Sequence, residues 1–198
     1  MKILNEIIKT ELNEDLISFN NLSGGSINNV YRCSTEHHQF VIKLNDALKY
    51  PLMFEKEEKG LALLNLSNFR IPNVINTGIY QNKSYLILEH INNTGNTINE
   101  IKLGTRLAEM HQITTDSFGL DHDNYIGSIP QINNKESVWT TFYQSMRLEP
   151  LVKKGFDSGS IENKSLRLFE KIYKELDHLI PIEPPSLVHG DLWQGNII

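Results

Sequence analysis

The stretch Leu187-Val188-His189-Gly190-Asp191-Leu192-Trp193-Gln194-Gly195-Asn196-Ile197-Ile198 constrains the fold more than any other part of the chain. A short apolar run leads into His-Gly-Asp, and an asparagine follows after four more residues. One loop therefore carries a carboxylate and an amide oxygen. Phosphoryl transfer to an alcohol needs both: a carboxylate to orient the hydroxyl and accept its proton, and an oxygen ligand for the magnesium that bridges the phosphates. Asp191 is the candidate base and Asn196 the candidate magnesium ligand. At residue frequencies of a few per cent, this spacing of His, Gly, Asp and Asn arises by chance in roughly one chain of this size in a thousand. The competing reading is a glycine-containing turn between strands.

The chain has 198 residues, enough for one domain or for two small lobes. It is 39% hydrophobic and 22% charged, as in ordinary globular proteins, which argues against disorder. A net charge of −5 with no basic run excludes a nucleic-acid backbone or an anionic membrane as the expected partner. A phosphorylated ligand has to be held locally. Cys33 is the single cysteine and has no internal disulfide partner, and charge appears too early after Met1 for a signal peptide, so the expected location is the cytoplasm. No apolar run is long enough to span a bilayer, and no internal repeat is present.

Taken in order, Ile3, Leu4, Ile7, Ile8 and Leu12 recur at helical spacing and predict an amphipathic helix. Strands are predicted over 17–22 and 30–33, joined by Ser23-Gly24-Gly25-Ser26-Ile27-Asn28-Asn29 as a hairpin. Glycine permits close approach and positive φ, so the turn from Gly24 to Asn28 is able to lay N–H groups over a nucleotide's phosphates. Taken alone, a Gly-Gly turn is more often simply a turn. Lys43, amid the apolar residues of a strand over 40–44, needs a partner if buried, and ATP phosphates would provide one. A lysine on an exposed edge strand is the alternative. A helix over 53–64 follows, then a turn and strand over 71–80 and a strand over 84–91. Five strands and a helix make one lobe, residues 1–92.

The polar segment Asn92 to Thr97 is the predicted linker. Beyond it, Asn96 or Thr97 is the expected cap of a helix reaching His111, and another helix spans 139–150. Ser160 is the expected cap of the last helix, with Ile161, Leu168, Phe169, Ile172, Tyr173, Leu176 and Leu179 on its buried stripe. His122 between Asp121 and Asp123 is not read as a metal site, because adjacent side chains diverge in regular structure.

These motifs together resemble the fructosamine (ketosamine) 3-kinase family, a branch related to the aminoglycoside and choline kinases. The resemblance is carried by the loop His189-Gly190-Asp191-Leu192-Trp193 with Gly195 and Asn196, and by Gly24-Gly25 with Ile27. Met53-Phe54-Glu55 with Glu57, Leu86 with Glu89-His90, the run from Phe118-Gly119 to Pro130-Gln131, Trp139 with Phe142, and Arg147-Leu148 with Pro150 add to it. It implies an α+β, two-lobed protein-kinase-like fold, with a five-stranded antiparallel sheet plus helix over 1–92 and a partial helical C-lobe over 93–198. It also implies an ATP-dependent kinase, using ATP and Mg2+, that phosphorylates the sugar 3-hydroxyl of glycated amines in protein deglycation.

By the same resemblance Asp191 is catalytic and Asn196 binds magnesium. Gly24, Gly25, Ser26 and Asn28 cover the ATP phosphates, and Lys43 is held toward them by Glu57, with Glu55 as the alternative and Glu58 in solvent. Backbone groups of Glu89 and Ile91 receive adenine, and His189, Trp193 and Arg147 are candidates for the substrate side, Arg147 being equally a packing residue. A second magnesium-binding aspartate, usual just after such a loop, is not reached by Ile198. The resemblance thus covers about two thirds of the family's ordinary length, and impaired activity and an uncovered apolar C-lobe surface that favours homo-oligomers are the expectations. The alternatives are a small-alcohol kinase of the aminoglycoside or choline type, or an inactive nucleotide-binding fragment.

Overall fold

A computed structural model describes residues 2–22, 27–92 and 99–197. The chain divides into two compact units, Met1–Met110 with Val188–Ile198, and His111–Leu187.

The first unit opens with α1 (Lys2–Leu12), followed by β1 (Ser18–Asn21), β2 (Asn29–Ser34), β3 (Gln39–Asp46), α2 (Met53–Leu64), β4 (Val74–Tyr80), β5 (Lys83–Glu89) and α3 (Glu100–His111). The strands form one antiparallel sheet in the order β1-β2-β3-β5-β4. Alternation in β3 sends Phe40, Ile42 and Leu44 to one face, where they meet Cys33, Tyr85 and Ile87. Leu4, Ile7 and Ile8 of α1, at i, i+3 and i+4, close over that face and are all but fully buried. Each such side chain contributes about 1.5–3 kcal/mol relative to exposure. Leu86 and Leu88, one residue out of phase, are buried as well, and α2 packs against β4 and β5 with Met53 and Phe54 inward. β5 is therefore covered on both faces, which is why it reads as a continuous apolar run.

The side chain that caps α3 is Asn99, whose Oδ1 accepts the Lys102 N–H at 2.9 Å. Asn96 and Thr97, the expected caps, lie outside the described residues.

The second unit contains a short hairpin, β6 (Asn124–Ile126) with β7 (Ile129–Gln131), then α4 (Trp139–Tyr143), α5 (Glu149–Asp157) and α6 (Asn163–Leu179). Between α4 and α5 the helix widens to a π-turn over Gln144–Leu148, closed by the Glu149 N–H on the Gln144 carbonyl. Pro150 gives the cause, since it has no N–H to offer the Met146 carbonyl. That oxygen is taken instead by Arg147 Nη1 at 3.0 Å.

Ser160 does not cap α6. Its N–H closes the preceding helix on Gly155 O at 2.8 Å, beside Gly159 at φ +75°, and α6 starts after Glu162, which makes no side-chain cap bond. The expected buried stripe is also only partly buried: Leu176 is sealed, whereas Leu168, Ile172 and Leu179 stay exposed. The apolar arc of α6 is wider than the surface its own unit covers. Among the described residues, no helix is long and apolar enough to cross a membrane.

Candidate active site

The loop around Asp191 turns on Gly190, whose φ of +78° is a conformation that favours glycine. A Cβ there would meet no atom, so the requirement is the dihedral and not the space. His189 Nδ1 accepts the Asp191 N–H at 3.3 Å, which puts the proton of the neutral ring on Nε2. Asn196 closes the loop: its Nδ2 donates to the Asp191 carbonyl at 2.8 Å and to Asp191 Oδ2 at 3.3 Å. With the amide nitrogen used in this way, Asn196 Oδ1 is the oxygen left to meet a cation. The short 3-10 turn Gln194–Asn196 fixes this arrangement, with Asn196 N–H on Trp193 O at 2.9 Å. The indole of Trp193 lies where any side chain on Gly195 would collide with it, and about half of Trp193 is exposed.

In the same unit, Lys43 Nζ donates to Glu57 Oε1 at 2.5 Å, each side chain 27% exposed. Glu55 is not the partner, its Oε2 being buried without a hydrogen bond, and Glu58 is half-buried instead of in solvent. An ammonium has three donors, and Glu57 takes one of them. Asn45, two residues after Lys43 and on the same face of β3, is buried and donates from Nδ2 to Asn28 Oδ1 at 2.5 Å and to Met53 Sδ at 3.2 Å. Asn28 is thereby anchored to the strand that carries Lys43. Gly24, Gly25 and Ser26 lie outside the described residues.

At the end of β5 the Glu89 carboxylate accepts from Asn73 N–H at 3.3 Å and Asn73 Nδ2 at 2.9 Å, and pairs with Arg70. The Glu89 N–H is bound to Asn73 O at 2.9 Å. Ile91 follows, half-buried.

Arg147 belongs to the second unit. It donates to Ile132 O at 2.8 Å, Met146 O at 3.0 Å and Asn133 Oδ1 at 2.5 Å, and its guanidinium lies 4.6 Å from the centre of the Phe142 ring. Burial draws its pKa below the ordinary value. Asn133, itself 2% exposed, also bonds His122 O, Asn124 Oδ1 and Asp123 Oδ1. His122 Nδ1 meets Asp121 Oδ1 at 2.5 Å, so these adjacent side chains do converge: the segment is a bend, and the divergence rule holds only in regular structure.

Among the described residues no group of three or more His, Cys, Asp or Glu side chains gathers as a metal cage. Asp191 and Asn196 nevertheless offer the oxygen donors that magnesium prefers, and magnesium ordinarily completes its shell with phosphates and water. The residues fit a share of such a site. The thiol of Cys33 is pushed up to about 12 by burial and is chemically quiet.

Several contributors escaped sequence reading. Asn45 was within reach, because strand alternation puts it on the face of Lys43. Arg70, Asn73 and Asn133 gave no signal, since their partners are distant in sequence.

An antiparallel five-stranded sheet, a lysine–glutamate pair between β3 and α2, and an Asp191–Asn196 loop define an α+β phosphotransferase fold of the aminoglycoside phosphotransferase type. A structure of aminoglycoside phosphotransferase APH(4)-Ia shares that fold, with a TM-score of 0.54 and 11% identity over 88% of this chain and 59% of the other. In another structure the same enzyme is held in a ternary complex with AMP-PNP and hygromycin B.

The chain belongs to the fructosamine kinase family, whose sequence model, described as Fructosamine kinase, matches residues 1–198. It is 37% identical to the chloroplastic protein-ribulosamine 3-kinase of Arabidopsis thaliana, over 89% of this chain and 55% of that one. It is 35% identical to a Lactiplantibacillus plantarum chain assigned as a ketoamine kinase, over 89% and 62%. A Thermobifida fusca crystal structure assigned as a fructosamine-3-kinase superposes with a TM-score of 0.85 at 28% identity, over 99% of this chain and 69% of the other. The chain thus spans 55–62% of the length of the two curated relatives.

Proposed function

We propose that the chain carries the nucleotide-binding part and catalytic loop of a kinase that transfers the γ-phosphoryl group of ATP to the 3-hydroxyl of a sugar joined to an amine as a ketosamine. The observation that carries this reading is the Asn196 bond to both the carbonyl and the carboxylate of Asp191, which ties the proposed base and cation ligand together within one loop. Asp191 orients the sugar hydroxyl and accepts its proton as that oxygen attacks the γ-phosphorus. The bond to the bridging oxygen breaks and ADP departs. Lys43, aimed by Glu57, neutralises phosphate charge, and Asn28 is tied through Asn45 to the strand that carries Lys43. Glu89 and Ile91 offer backbone groups to adenine, and His189 and Trp193 border the acceptor. Asn196 Oδ1 would hold part of the shell of a magnesium ion, which would supply charge stabilisation to the phosphates. The ketosamine acceptor rests on the family; the loop chemistry by itself gives an alcohol. The quiet, solitary thiol of Cys33 suits a reducing compartment, and we assign the protein to the cytoplasm.

The test is magnesium-dependent ADP release with ribulosyl-lysine, with free lysine and the Asp191→Asn variant as controls. Release that requires both the sugar adduct and Asp191 supports the reading. Equal release with free lysine, or with Asp191→Asn, removes it. ATP binding without release, insensitive to Asp191→Asn, identifies a nucleotide-binding module instead.

A further inference from the structure

Helix α2 is joined to β3 by two side-chain contacts: Lys43 Nζ bonds Glu57, and Asn45 Nδ2 bonds Met53 Sδ at 3.2 Å. Their spacing is matched on the two elements. Two residues of strand advance about 6.6 Å and four residues of helix rise about 6 Å, so both contacts form side by side without distortion. A single ion pair between two long side chains lets a helix slide and turn about it, and a second contact one step along fixes the register. α2 needs that contact, because Leu52, at φ +57°, gives its first turn no side-chain cap.

Asn45 also reaches across the sheet. The β2–β3 register pairs Val30 with Lys43 and Asn29 with Leu44, so the next opposed pair is Asn28 and Asn45, whose side chains meet at 2.5 Å. The Asp46 N–H bonds Asn45 Oδ1 at 2.7 Å, which orients the amide: its nitrogen faces Asn28 and Met53, with one hydrogen for each. Asn45 and Met53 are each 6% exposed, so water does not stand in for these bonds.

We propose that Asn45 is a positioning residue for phosphate binding: one amide pins both Asn28 and the first turn of α2 to β3, and so holds Glu57 where it aims Lys43. The ligand, the phosphates of ATP, is taken from the phosphotransferase reading; the linkage between Asn28 and α2 rests on the bonds alone. Asn28 has no hydrogen bond to α2 among the described residues, so what it does to that helix passes through Asn45. Without Asn45 the Lys43 ammonium is less well aimed, and the loss falls on the phosphates and not on the nucleoside.

Two measurements on the 198-residue chain test this. Hydrogen exchange of the nucleotide-free chain is independent of any kinase activity. Asn45→Leu and Asn28→Ala are each expected to speed exchange of the Lys56 and Glu57 amides by about threefold to tenfold, as for one lost hydrogen bond, while the β5 amides keep their protection and show that the sheet is folded. Asn28→Asp keeps an acceptor for Asn45 Nδ2 and should stay within about twofold of wild type. In an Asn45→Leu background, Asn28→Ala should add less than about twofold. The second measurement is calorimetric binding of magnesium-ATP and of adenosine. Asn45→Leu should weaken ATP by about tenfold and adenosine by less than about twofold, and should weaken ATP by less than about twofold when Lys43→Met is already present. α2 amides that ignore Asn28→Ala overturn the linkage, whatever the chain binds. Equal losses for ATP and adenosine, or full additivity with Lys43→Met, overturn the positioning role. A wild-type chain whose variants pass the exchange test but which binds no ATP removes the kinase reading and the phosphate role with it, and leaves the linkage standing.

Discussion

Gly190 adopts φ +78° with open space where a side chain would stand, so a Gly190→Ala change isolates backbone strain from steric collision. The left-handed conformation costs a non-glycine residue about 1–2 kcal/mol, and the change is expected to speed exchange of the Asp191 and Asn196 amides by roughly tenfold while the sheet amides keep their protection. Unchanged exchange at these two amides would show that the loop does not need this turn. A second residue-scale expectation concerns acid. The Lys49 and Leu48 N–H groups, with Lys83 adding charge, hold the Asp46 carboxyl below its ordinary range against an opposing cost of burial. Glu14 is lowered in the same sense, first by the Thr35 hydroxyl and then by His38. A folded pKa below the unfolded value gives stability that is present above the ordinary carboxylate range and is lost as pH falls through the lowered value. Melting temperature should therefore fall between about pH 5 and pH 3, and Asp46→Asn should flatten that slope. An Asp46→Asn slope equal to wild type would remove Asp46 from the account. What was legible at this scale was chemistry carried by neighbours in sequence. The Asp191–Asn196 loop reads directly, whereas the bonds that pin Glu89 to Asn73 and Arg147 to Asn133 join residues 14 or more positions apart and leave no local pattern.

The elements show the same division between local and distant causes. The sheet strands and α2 were legible because alternation in β3 and the apolar face of α2 are strong periodic signals. The hairpin β6–β7 was not, since three-residue strands are too short to show a period. The π-turn over Gln144–Leu148 is a sharper case, because Pro150 announces a break but only Arg147 explains why the helix survives it. Arg147→Met would leave the carbonyls of Ile132 and Met146 and the Asn133 side chain without their donor, at a cost of about 3 kcal/mol in thermal or urea unfolding. Pro150→Ala returns an N–H that can bond Met146 O in an ordinary α-turn. The double change Arg147→Met/Pro150→Ala should then be less destabilised than Arg147→Met alone, by about 1 kcal/mol. If the second change instead adds its own loss, the π-turn has some cause other than the missing proline donor.

Across the whole molecule, apolar burial is unevenly shared. The first unit seals Leu4, Ile7, Ile8, Phe40, Phe54, Ile42, Leu86 and Ile87 between a sheet and its covering helices. In the second unit the buried apolar side chains among the described residues are Phe142, Val152 and Leu176, supported by the stacking of Trp139 on Phe142 and Tyr143 and by the tilted ring of Phe118 against Trp139. The sequence showed α6 as amphipathic and so led to an expectation of a buried stripe, but periodicity tells which residues share a face and says nothing of what lies opposite. Stability should follow burial, because opening a segment with few sealed contacts exposes little apolar surface. Native-state hydrogen exchange is expected to find α6 and α5 opening about 2–4 kcal/mol more easily than β3 and β5, and dilute protease should cut first between Ser158 and Glu162. Ile42→Ala should cost about 2–5 kcal/mol, while Leu168→Ala should change monomer stability by less than about 0.5 kcal/mol. Uniform protection across both units, together with a large loss from Leu168→Ala, would mean that Leu168, Ile172 and Leu179 are sealed within the monomer itself.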